Sequence, residues 1–175
     1  MRQHLPRLLA LAAGIALALA AAAGSPAASG GAPSAQDVNY LRTSISGDRF
    51  EIVGGRVALR RSGSAEVKAL ARRLIHDHSK SLRDAIALAR AHHIAVPKGP
   101  TPSMVWELET VSIFSGAAFD DRYTYLEIKD HQQDVEEGVF EVDHGGSPAF
   151  RANARKELPT LRRHLALSKR VHAST

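Results

Sequence analysis

Between Ala65 and about His93 the chain places Val67, Leu70, Ala71, Leu74, His78, Leu82, Ala85 and Ala89 at steps of three and four. A stripe kept through more than three heptads is one face of a long α-helix. Such a helix cannot bury its stripe alone, so it requires partner helices of matching length. Aromatic residues make up only 5% of the chain while Ala and Leu dominate, which favours helices packed through aliphatic stripes over a β-sandwich. The expected fold class is all-α.

The partners can be read on either side. A first helix is predicted from a cap at Ser34 or Asp37 to about Arg61, with Val38, Leu41, Ile45, Ile52 and Leu59 at helical spacing. Its three glycines, Gly47, Gly54 and Gly55, mark a kink or the close approach of another backbone. Ser62-Gly63-Ser64 turns the chain into the second helix. After the Pro-rich stretch Ile94 to Pro100, Ser103 is expected to cap a short helix ending at Ser115-Gly116. A third long helix is predicted from about Ala117 to Asp143, with Phe119, Tyr123 and Leu126 on one track and Ile128, His131, Val135, Val139 and Val142 on another. Gly145-Gly146 ends it, and Pro148 opens a last helix running to about His172, bent at Pro159. Four long helices and one short extra helix before the third long one make a four-helix bundle.

Arg2, the Leu/Ala run from Leu8 to Ala23 and the small residues near Ala21 and Ala23 form a secretory leader. The expected organisation is a signal peptide over 1–24, a disordered low-complexity linker over 25–36 and a bundle domain over 37–172. Localisation is therefore expected to be periplasmic or secreted, with no stable membrane span after leader removal. The chain has no cysteine, which excludes disulfides, thiolate metal sites, iron-sulfur clusters and cysteine nucleophiles. Beyond residue 35 the net charge is only about +3, so no nucleic-acid partner is expected. An acidic segment over 99–143 lies between two basic ones, a pattern that selects helix neighbours. The partner class left open is another envelope protein.

His78 interrupts the second stripe and follows Asp77; His131 lies in the third long helix and follows Asp130; His164 borders the last stripe; Glu51 edges the first. Each long helix thus offers an imidazole or carboxylate near mid-height. Those are the ligand types of a divalent metal ion such as iron, manganese or zinc, and Asp beside His also steers a tautomer. The candidate metal ligands are Glu51, Asp77, His78, Asp130, His131 and His164. Glu127 and Asp134, also at helical steps from His131, are expected on an acidic solvated face, and His76 is expected exposed. The competing reading makes the same groups a buried Asp/His polar network that fixes helix register in a non-catalytic structural or stress-related envelope protein. No Gly-x-Ser-x-Gly elbow supports a hydrolase.

Five blocks in order carry a family likeness: Glu51-Ile52-Val53; Leu74-Ile75-His76-Asp77-His78-Ser79-Lys80 with Glu66-Val67-Lys68-Ala69 ahead of it; Phe114 through Tyr123; Asp130-His131-Gln132-Gln133-Asp134-Val135; and Leu158-Pro159-Thr160-Leu161-Arg162-Arg163-His164-Leu165. Over residues 37 to 170 the chain resembles the secreted bacterial ferritin-like family known as domain of unknown function 4142. The resemblance implies an extracytoplasmic ferritin-like helical bundle and brings no established activity with it. The ferritin di-iron pattern, with a Glu-x-x-His pair on each of two helices, is absent. The one Glu-x-x-His here, Glu141 to His144, falls at a helix end.

Overall fold

The computed structural model describes residues 32–175, so the expected leader and the expected linker before residue 32 lie outside it. Five helices follow in order: α1 (Ala35–Arg61), α2 (Ala65–Ala91), α3 (Pro102–Ser112), α4 (Ala117–His144) and α5 (Pro148–His172). Among the described residues there is no strand. Helix α1 starts at Ala35, so Ala35 and Gln36, assigned by sequence to the linker, are helical. The reason is a complete capping box, in which the Ser34 hydroxyl accepts from the Asp37 amide and the Asp37 carboxylate accepts from the Ser34 amide. Helix α3 is capped by Thr101 with Pro102 at its first position, not by Ser103, and stops at Ser112.

The contacts fix the topology. Helices α1 and α2 form one antiparallel pair and α4 and α5 another. The start of α4 lies at the end of α1, since the Gly116 amide donates to the Arg61 carbonyl. Helices α2 and α4 therefore run parallel, and residues 92 to 116, including α3, cross the length of the bundle. This up-down-down-up order with one long crossover is the connectivity of ferritin-like bundles. Gly116 turns the chain at a φ of 59°, where a side chain would be strained. Gly55 lets α1 and α2 approach, because a Cβ there would sit 2.7 Å from Ile75 Cγ1 and 3.1 Å from the Ala71 carbonyl. Gly55 thus marks a close approach within an unbroken α1. Helix α5 also continues through Pro159, which leaves the Arg155 carbonyl without its helical donor.

The core is layered along the bundle axis. One end holds Ala58, Val67, Leu70, Leu74, Phe119 and Tyr123. The other holds Leu41, Ile45, Ala85, Ala89 and Phe150. Beneath α3, Leu108 closes over Phe50 and Leu126. Between the two apolar ends lies a polar layer that contains Asp48, Glu51, His78, Glu127, His131 and His164, all buried.

A second polar site secures the α4–α5 turn. The buried Asp37 carboxylate accepts from the Ser34 amide at 2.6 Å, the Ser34 hydroxyl at 2.7 Å and the Ser147 amide at 3.1 Å. Beside it, burial and the Asp37 charge push the Glu141 carboxyl up to about 7 from its usual 4.5. A raised carboxyl stabilises the fold fully below its unfolded value, and that contribution is lost as pH rises through the folded value. Glu141→Gln is therefore expected to match the wild type near pH 4.5 and to exceed its stability at pH 7.5. Urea melts at both values check this, and equal differences at the two would refute it.

Candidate functional site

The histidines come from three helices. His78 continues the α2 stripe one turn after Leu74, His131 lies two turns after Tyr123 on α4, and His164 faces inward from α5. All three rings are at most 4% exposed. His131 Nε2 lies 3.4 Å from His78 Nε2 and 3.3 Å from His164 Nδ1. One nitrogen from each ring falls within 4.8 Å of the other two.

The outer nitrogen of each ring has an acceptor. His78 Nδ1 is 2.8 Å from Asp48 Oδ1, His164 Nε2 is 2.9 Å from Asp77 Oδ2, and His131 Nδ1 is 2.8 Å from the Glu127 carbonyl. Carboxylates and carbonyls accept only, which assigns the N–H to each outer nitrogen and leaves the inner nitrogens with lone pairs. Three lone pairs thus face a common point.

The electrostatics follow from this arrangement. Burial and the neighbouring His78 and His164 hold His131 well below the usual imidazole value, and burial with His78 brings His164 down to about 4. For His78 burial acts in the same sense, but the Asp48 hydrogen bond and charge outweigh it and raise the ring. His78 is therefore the most basic of the three rings.

Glu51 and Glu127 lie at the other nitrogen of His131. Glu51 Oε1 is 3.9 Å and Glu127 Oε2 is 3.7 Å from Nδ1. Burial, with Glu127 and Asp130 nearby, holds Glu51 well above the carboxylate range, and burial pushes Glu127 up to about 7. Asp130 is likewise raised by burial.

Of the six candidate ligands, His78, His131 and His164 converge, while Glu51 and Asp130 belong to the carboxyl cluster. Asp77 faces outward at the edge of the layer, where it accepts from His164, Arg73 and His76. It is thus held below the usual carboxylate range by those hydrogen bonds, against the opposing effect of its burial. Asp77 serves the histidine across the bundle and not its sequence neighbour His78. His76 is exposed. The acidic solvated face expected for Glu127 and Asp134 is corrected: Glu127 is 1% exposed and Asp134 half-buried. Both continue the inward Tyr123-to-His131 track, whereas Ile128 and Val135 lie at its half-buried margin. Asp48 lies outside the predicted ligand set, although its place between Ile45 and Ile52 on the α1 stripe signals an inward side chain.

A small cavity of about 20 Å³ reaches His78 and is lined by Asp48, Ser81, Asp134, Glu137 and Glu157 among others. Its carboxylates favour the approach of cations.

Fold and site together define an all-α four-helix bundle with a histidine and carboxylate layer sealed between two apolar ends. The chain belongs to the family described as domain of unknown function (DUF4142), whose model matches residues 22–171. Two solved structures share the fold. One is a DUF305 fragment from Deinococcus radiodurans, with 16% identity, 83% of this chain and 100% of that chain covered, and a TM-score of 0.73. The other is a DUF305 protein from Streptomyces coelicolor described as secreted, with 15% identity, 79% and 91% covered, and a TM-score of 0.68. No curated protein matches the chain. Among the described residues no helix is long and apolar enough to cross a membrane.

Proposed function

We propose that this protein is an extracytoplasmic metal-binding bundle that holds one divalent transition-metal ion through His78 Nε2, His131 Nε2 and His164 Nδ1. The observation that carries the reading is the convergence of three imidazole nitrogens within 4.8 Å of one another, His131 Nε2 lying 3.4 and 3.3 Å from the other two. An ion about 2.05 Å from two nitrogens at a tetrahedral angle sets those nitrogens about 3.3–3.4 Å apart. The two separations from His131 thus match those of a tetrahedral imidazole site, and the third pair lies within 4.8 Å. Asp48, Asp77 and the Glu127 carbonyl act behind the ligands, fixing tautomer and ring orientation. An imidazole set suits zinc, iron or copper better than manganese. Three protein ligands leave a fourth position for water or substrate. The secretory leader pattern and the secreted description of a structural neighbour support a place outside the cytoplasm.

Metal content of protein purified without chelator, before and after loading with zinc or iron, tests the reading. One tightly held ion per chain, lost in His78→Ala and His164→Ala with helicity retained, is the expected result. Background metal after loading would overturn it, and would favour the alternative of a structural envelope protein with a register-fixing polar network. Asp48→Asn is expected to weaken binding by about 10- to 100-fold, the usual cost of losing a partner behind a ligand. Competition with a chromogenic chelator measures this. An unchanged affinity would remove Asp48 from the scheme.

A further inference from the structure

The carboxyl cluster beside His131 is a different chemical environment from the histidine triad. One oxygen of Glu51, one of Glu127 and a nitrogen of His131 lie within 4.8 Å of one another. Both Glu51 oxygens and Glu127 Oε2 are buried without a hydrogen-bond partner, as are Asp130 Oδ2 and the Tyr123 hydroxyl. The two glutamate side chains are at most 2% exposed. Their separations from His131 Nδ1, 3.9 and 3.7 Å, are too long for hydrogen bonds. Among the described residues neither glutamate has a lysine or arginine within 4 Å. Buried carboxylates without such a partner need either protons or a metal cation.

We infer a second cation site here, an oxygen-rich one built by Glu51 and Glu127, with Asp130 adjoining, that takes a hard divalent ion of the manganese class. Carboxylate oxygen suits such an ion, as imidazole suits the ion of the triad. His131 stands between the two sites, its Nε2 turned to the triad and its Nδ1–H bonded to the Glu127 carbonyl. Helix α1 serves both, because Asp48 and Glu51 are three residues apart on one face, with Asp48 orienting His78 and Glu51 supplying oxygen.

The inference builds on the triad reading only in treating the two sites as neighbours, and the test separates them. Purified protein is loaded with diamagnetic zinc, then titrated with manganese, and both metals are counted after gel filtration, with manganese read by electron paramagnetic resonance. The wild type should retain about one of each ion. The double variant Glu51→Gln with Glu127→Gln, near-isosteric and checked by circular dichroism, should lose manganese and keep zinc. His164→Ala should lose zinc and keep manganese. No retained manganese in the wild type, or manganese unchanged in the folded double variant, overturns the second site. Loss of both ions in that variant also overturns it, because the centre would then be one composite site. Manganese retained without any zinc binding supports this site and refutes the triad.

Discussion

Replacing His131 by alanine is expected to abolish the stabilisation that zinc bound at the histidine triad confers. His131 Nε2 is the nitrogen common to both short contacts, so its loss leaves only two of the three triad ligands, His78 and His164. The effect should exceed the ~10- to 100-fold cost of an Asp48 change, since a ligand is removed and not its support. Metal in hundredfold excess over Kd stabilises a folded protein by about 2.7 kcal/mol, which for a domain of this size raises Tm by roughly 8–10 °C. That rise should appear in the wild type and vanish in His131→Ala, as measured by thermal melts with and without chelator. A variant whose melting temperature drops equally in both conditions would identify a register-fixing network instead.

The second large effect is expected far from the histidines. Asp37→Ala should destabilise the protein by about 2–4 kcal/mol, from the lost helix cap together with the buried Ser147 amide left without its acceptor. Asp37→Asn keeps an acceptor and should lose less. Burial works to raise the Asp37 carboxyl, but hydrogen bonds from Ser34 and Ser147 prevail and hold it below its usual 3.8. Its contribution is therefore complete above pH 3.8 and is lost as pH falls through the lower folded value. Glu141, raised to about 7, acts in the opposite sense at higher pH. Denaturant midpoints for Asp37→Ala check the magnitude, and a change under about 1 kcal/mol would show that the Ser34–Asp37–Ser147 link is dispensable.

The two sites rely on different physics. At Asp37 every carboxylate oxygen has a donor, so the group stabilises the fold as it stands. In the polar layer Asp48 Oδ2, both Glu51 oxygens and Glu127 Oε2 have none. A core that buries so many unpaired acceptors keeps them at a cost in stability. Functional sites are where such exceptions are expected.

Much of this protein was legible without coordinates because helical periodicity is a local property. The α2 stripe, the Ser64 cap, the Gly145-Gly146 stop and Pro148 at the start of α5 are each set by residues within a few positions of one another. His78 and His131 stood out because each interrupts an apolar track. Asp48 does the same between Ile45 and Ile52, and Glu127 sits one turn before His131 on the inward track, so both were readable by the same rule.

Local residue patterns set the helices, their caps and which residues share a face. Which faces meet depends on the assembled bundle. It paired Asp77 with His164, 87 residues away, and Asp48 with His78, 30 residues away. It also brought three imidazole nitrogens from α2, α4 and α5 to a common point. Local spacing fixes the direction of a side chain about its own helix axis, whereas the axial offset between helices depends on packing across the whole bundle. That packing here includes the close approach at Gly55 and the crossover that sets α4 antiparallel to α1.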